Sequence, residues 1–187
     1  MQNRCKIVGL MACTARRGVI GQQGKIPWNI PKEMQHFQRM TAASIVIMGR
    51  RTFEEMSGLE LMEKRVGVVV SSRLAAAAGQ REDTRLCFLR RSAERSSRND
   101  DSGALQAGDA VVATCVRDFV DRVFPSVVKR AVVQADKSFL IGGNDLASEM
   151  LEMGLVDEFI LSLIEQVRLS LQLLWALVSM AGWLLQK

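Results

Sequence analysis

A single histidine, His36, and four cysteines, Cys5, Cys13, Cys87 and Cys115, with no Cys-x-x-Cys pair among them, leave this chain without the ligand set of a zinc site or the spacing of a disulfide framework. Reduced thiols and a cytoplasmic location are the expectation. No dense basic run is present, although residues 1–73 carry twelve Lys or Arg against five Asp or Glu and the whole chain +5. The excess is scattered among apolar segments, which fits a polyanionic small molecule better than nucleic acid. No small-residue cleavage pattern follows the short apolar run in MQNRCKIVGLMAC, so a secretory signal is not expected. At 187 residues the chain is too short for two ordinary domains, while 48% hydrophobic residues suffice for one buried core.

Proline, used only three times, falls twice within one stretch: Pro27 and Pro31 lie in GKIPWNIPKEMQHFQRMT, Gly24 to Thr41. Pro31 suits the first turn of a helix, where a missing N–H costs little, and the spacing predicts a helix from Pro31 to about Met40. Steps of three and four from Ile30 reach Glu33, Met34, Phe37 and Met40, which puts an acid on the inward stripe. A helical Glu is ordinarily solvated surface. Its apolar neighbours here argue instead for a carboxyl that shares a proton or hydrogen bonds with a ligand. His36 falls off that stripe and is assigned no role.

Four apolar runs read as strands buried on both faces: Lys6 to Cys13, expected to be central, Ser44 to Met48, Val66 to Val70 and Ser138 to Gly143. Glu158 to Ile164 reads as a fifth strand. After the second run stand Gly49, Arg50, Arg51 and Thr52 and then a helical segment, a sound site for phosphate: free N–H groups at a helix start, close approach at glycine, and guanidinium donors. Ser71, Ser72 and Arg73 after the third run offer hydroxyls and a charge. Gly142 and Gly143 after the fourth let backbone amides reach a pyrophosphate before a helix over Asn144 to Met153. Residues 90–108 have the composition of a disordered loop, flanked by short strands at Leu86 to Leu89 and Val111 to Thr114, and Val116 to Phe124 reads as a helix stopped before Pro125.

Pro27-Trp28, then Glu33 and Phe37, with MGR-x-T at Met48 to Thr52 and Ile-Gly-Gly at Ile141 to Gly143, resemble the dihydrofolate reductase family over residues 5–73 and 138–164. The resemblance implies a doubly wound α/β domain with a mostly parallel sheet over residues 1–167, lacking the family's closing antiparallel strands. It also implies NADPH-dependent reduction of 7,8-dihydrofolate to tetrahydrofolate by a monomer. On that likeness Glu33, Trp28 and Ser162 are the catalytic candidates, with Trp28 holding a water and Ser162 bonded to the acid. Cys13, Glu33, Phe37, Met56, Arg65 and Ile141 would meet the substrate, with Arg65 on its α-carboxylate. Ala12, Ile20, Gly49, Arg50, Arg51, Thr52, Ser71, Ser72, Arg73, Ile141, Gly142 and Gly143 would hold NADPH, with Arg50 on the 2′-phosphate. The glycine-bearing loop from Gly18 to Gly24 would close over the nicotinamide. Two departures stand out: Leu59 to Lys64 replaces the Pro-x-Pro-Gly before the arginine, and Ala147 stands where the family often has an aromatic.

GLVDEFILS, beginning at Gly154, also looks like the reductase domain of riboflavin-biosynthesis enzymes, so a pterin or pyrimidine reductase is the rival reading. Glu33 and Arg65 favour folate. Beyond Val167 the likeness ends in RLSLQLLWALVSMAGWLLQK, Arg168 to Lys187. That tail reads as a membrane-associated helix, a helix packed on the sheet edge, or a sequence unrelated to the fold, such as a shifted reading frame. The abrupt loss of similarity favours the last, and with it a possible inactive product.

Overall fold

The computed structural model describes residues 5–16, 18, 20–21, 26–56, 58–77, 79–80, 87–89, 104–133 and 136–165. In chain order these form β1 (Lys6–Thr14), α1 (Pro31–Thr41), β2 (Ile45–Gly49), α2 (Arg50–Glu55), a 3-10 turn (Gly58–Lys64), β3 (Val66–Val70) and α3 (Ser72–Ala77). Then come β4 (Gly79–Gln80), β5 (Cys87–Leu89), β6 (Ala110–Ala113) and α4 (Val116–Asp118), which passes through a π-helical stretch (Phe119–Val123) into α5 (Phe124–Arg130). β7 (Lys137–Gly142), α6 (Asn144–Glu152) and β8 (Glu158–Ile164) complete them.

The eight strands make one sheet in the order β4-β5-β6-β3-β2-β7-β1-β8. From β6 to β8 every neighbouring pair is parallel, and β4 and β5 add an antiparallel end. The sheet is therefore mostly parallel, as the likeness implied. β1, expected to be central, lies one place from the edge, between β7 and β8.

Period-two alternation makes each inner strand serve two cores. Ile45, Ile47, Val66 and Val68 join Val116, Phe119, Val123, Leu146 and Met150 on one face. Val46, Met48 and Val69 join Met62 and Phe139 on the other, where half-buried Phe37, Met40 and Phe53 pack. So α4, α5 and α6 cover one face and α1 and α2 the opposite one, the doubly wound arrangement. Each large side chain removed from water here contributes about 1.5–3 kcal/mol.

Two expectations need correction. The helix predicted to stop before Pro125 continues to Arg130: Pro125 occupies the first turn of α5, where its missing N–H is tolerated, after the backbone has widened to a π-helical turn. Phe119 and Phe124 pack across that turn with ring centroids 4.9 Å apart. The expected disordered loop over 90–108 is also wrong for residues 104–108, which are ordered. Leu105 is buried in the first core, donates its N–H to the Arg130 carbonyl at 2.8 Å and accepts from the Val132 N–H at 2.8 Å. Residues 90–103 and the tail 168–187 lie outside the described residues. Among the described residues no helix is long and apolar enough to cross a membrane.

Candidate active site

Because six strands run parallel, the segments following β1, β2, β3 and β7 all emerge at one edge of the sheet. β2 and β7 are neighbours, yet α2 after β2 packs Phe53 on one face while α6 after β7 packs Leu146, Ala147 and Met150 on the other. A crevice necessarily opens between strands whose following helices diverge, and this is where open α/β sheets bind ligands. Its walls are the two glycine-bearing turns singled out in the sequence. A Cβ on Gly49 would lie 3.5 Å from the Gly143 nitrogen, and one on Gly142 would lie 3.2 Å from Thr52 Oγ1. Gly142, at φ +132, is joined to Gly143 by a cis peptide bond. The two backbones thus approach each other at side-chain-free positions, with Thr52 Oγ1 beside both glycines of the second turn.

The remaining cofactor candidates are less uniform. Arg50 opens α2, and its guanidinium is paired with Glu54 at 2.6 Å, an i,i+4 contact legible from spacing but not singled out in the sequence. Arg51, Ser72 and Arg73 are exposed. Ser71 Oγ is engaged as an acceptor from the Leu74 N–H at 3.2 Å, and its own N–H donates to the Ala113 carbonyl. Ile20 and Ile141 are half-buried, and Ile141 packs on the second core. Residues 22–25 of the glycine-bearing loop lie outside the described residues.

On the α1 side, Pro31 begins the helix and Glu33 sits in its first turn, half-buried, on the helix that packs Phe37 and Met40 on the sheet. Trp28 is half-buried before that helix, and its indole Nε1–H is buried without a hydrogen-bond partner among the described residues. A buried donor left this way calls for a water or a ligand acceptor. Cys13 is buried near the end of β1, and Ala12 pairs in register with Ser162 of β8, so the half-buried Ser162 stands beside the same strand end. Met56 caps α2, its N–H bonded to the Thr52 carbonyl at 3.0 Å.

Arg65 is the most constrained of the candidates. A charge at a strand's start is ordinarily solvated, yet Arg65 is only 8% exposed. Its Nε donates to Thr41 Oγ1 at 2.9 Å and its Nη1 to the Leu61 carbonyl at 2.8 Å, while its carbon centre lies 5.7 Å from the Phe37 ring centroid. Burial lowers its pKa from the usual arginine range, and an arginine so placed remains a cation. Thr41 escaped the sequence reading because its partner lies 24 residues away.

The model of the family described as "Dihydrofolate reductase" matches residues 7–101. The chain belongs to the dihydrofolate reductase family. Among curated relatives, "Dihydrofolate reductase type 3" of Salmonella typhimurium is 42% identical over 65 residues, 35% of this chain and 39% of that protein. The Mycobacterium tuberculosis dihydrofolate reductase is 42% identical over 50 residues, 27% of this chain and 31% of that one. The bifunctional dihydrofolate reductase-thymidylate synthase of Paramecium tetraurelia is 36% identical over 72 residues, 38% of this chain and 15% of that one. The matches thus span well under half of these relatives. Among solved structures, dihydrofolate reductase from Enterococcus faecalis complexed with NADP(H) and RAB-propyl shares the fold, with a TM-score of 0.55 and 19% identity over 88% of this chain and 73% of that one.

Proposed function

We propose that this chain reduces 7,8-dihydrofolate to tetrahydrofolate with NADPH. The observation that carries the reading is the meeting of Gly49–Thr52 with Gly142–Gly143 at the crevice between β2 and β7. Adding a Cβ at Gly142 would crowd the Thr52 hydroxyl, so the cradle fits a group that needs backbone approach, such as a pyrophosphate. NADPH, when bound, supplies the hydride. The protein's share is alignment and electrostatics.

Arg50 at the start of α2 takes the 2′-phosphate, exchanging its exposed partner Glu54 for a dianion. Glu33 hydrogen-bonds the amidine face of the pterin and favours protonation of the ring nitrogen next to the carbon that receives hydride. The orphaned Trp28 Nε1–H holds the water that serves this proton. Phe37 and Met56 pack the substrate, and Arg65 binds its α-carboxylate. The test is dihydrofolate-dependent oxidation of NADPH by the purified chain. Oxidation that proceeds equally without dihydrofolate, or only with a pyrimidine of the riboflavin pathway, would remove folate as the substrate.

A further inference from the structure

We propose that Thr41 is the positioning residue for Arg65, so that a side chain which itself touches no ligand sets the affinity for the substrate's carboxylate. The inference rests on the folate reading of the site and concerns how that site is built. Thr41 has no exposed surface. Its hydroxyl donates to the Phe37 carbonyl at 2.8 Å and accepts from Arg65 Nε at 2.9 Å, and the Thr41 carbonyl accepts from Ser44 Oγ at 2.6 Å. The proton and a lone pair of the hydroxyl are thereby both committed, which fixes its direction, and the Ser44 bond fixes the backbone beneath it.

A guanidinium is a planar fork with five N–H donors, and its use depends on which edge is free. Thr41 engages Nε, the Leu61 carbonyl engages one Nη1 proton, and the plane lies near the ring of Phe37. Among the described residues these contacts leave Nη2 as the nitrogen with no partner, and its N–H groups are the ones available to donate to a carboxylate. The Leu61 carbonyl alone would let the fork rotate about a single bond. Thr41 supplies the second anchor, and because it ends α1, the helix carrying Glu33 and Phe37, it ties the carboxylate-binding nitrogen to the same rigid element as the proposed acid.

The experiment compares parent, Thr41→Val, Thr41→Ser and Arg65→Leu with two substrates, dihydrofolate and a dihydropterin lacking the glutamate, alongside direct binding of folate and of the bare pterin to the protein. Thr41→Val keeps the branched shape and removes the hydroxyl. We expect it to raise KM and Kd for the carboxylate-bearing ligand on the order of tenfold, with kcat and the bare pterin unchanged. Thr41→Ser should recover most of the loss. Arg65→Leu should show the same selectivity at least as strongly. Equal losses toward both ligands in Thr41→Val, or no loss, would overturn the positioning role while leaving the folate reading intact if Arg65→Leu remains selective. Arg65→Leu without selectivity would overturn the folate reading itself. Should Thr41→Val fail to fold, Thr41→Ala against Thr41→Ser gives the same contrast, read by binding alone.

Discussion

Replacing Gly142 and, separately, Gly143 by alanine turns the geometry of the crevice into two different numbers. Gly142 has φ +132, a region essentially closed to residues with a Cβ, whereas Gly143 has φ −77 and ψ −174, an extended conformation open to any residue. Holding alanine in the first conformation costs about 1–3 kcal/mol. Loss of glycine's freedom in the unfolded chain offsets roughly 0.4–1 kcal/mol at either position. The added methyl at 142 also meets Thr52 Oγ1 at 3.2 Å, closer than ordinary packing, while at 143 the distance is 3.5 Å. Gly142→Ala should therefore destabilise by about 1–2 kcal/mol, lowering Tm by roughly 2–8 °C for a chain of this size. Gly143→Ala should stay within about 0.5 kcal/mol of the parent. Thermal unfolding by circular dichroism measures both, and titration with NADPH should show Gly142→Ala binding more weakly because it presses on Thr52. Equal Tm shifts for the two variants would refute the backbone reasoning.

Glu33→Gln keeps the shape of the site and loses the titrating acid; NADPH binding should persist while steady-state turnover at neutral pH falls by roughly a hundredfold or more, and turnover within about twofold of the parent would remove Glu33 from the chemistry. Arg50→Ala should weaken NADPH by about tenfold and NADH far less, as read by cofactor titration; equal weakening of both would take Arg50 off the 2′-phosphate. Acid titration of stability should show a contribution from Asp118. Burial alone would raise its pKa, but hydrogen bonds from Arg122 and from the Thr114 N–H and hydroxyl outweigh burial and hold it below the ordinary 3.8. A depressed folded value means the contribution is present above about pH 3.8 and is lost as pH falls through the lower folded value. Asp118→Asn should flatten that part of the unfolding profile, and an unchanged profile would discount the cluster.

Legibility in the sequence followed the range of the forces involved. Val66–Val70 and Glu158–Ile164 were read with the bounds they have, because short, mainly apolar runs report backbone conformation locally. The meeting of the two glycine turns was readable only as two separate motifs, since their adjacency depends on β7 inserting between β2 and β1. Arg65 was placed by likeness alone, and the Thr41 bond that holds it joins residues with no local pattern between them. Pro125 was misread because the rule that proline stops a helix ignores the first-turn tolerance that applied correctly at Pro31. Glu158 to Ile164 read only as a strand, and its burial was not legible: Phe159, Leu161 and Leu163 are 43%, 47% and 62% exposed on β8 at the end of the sheet order.

The place of β1 in the sheet also sets a schedule for synthesis. Among the described strands the first, β1, has β7 and β8 as its neighbours, the two that come latest in the sequence, and the bond from Ser138 to the Lys6 carbonyl spans 132 residues. At translation rates of about 5–20 residues per second, Ile7, Val8 and Leu10 wait roughly 7–25 s before a partner strand leaves the ribosome. During that interval β2, β3 and β6 can pair with one another while β1 cannot join them. The nascent chain thus holds an apolar segment in trust for its own far end, and a ribosome that stalls before residue 137 leaves that segment open to holding chaperones.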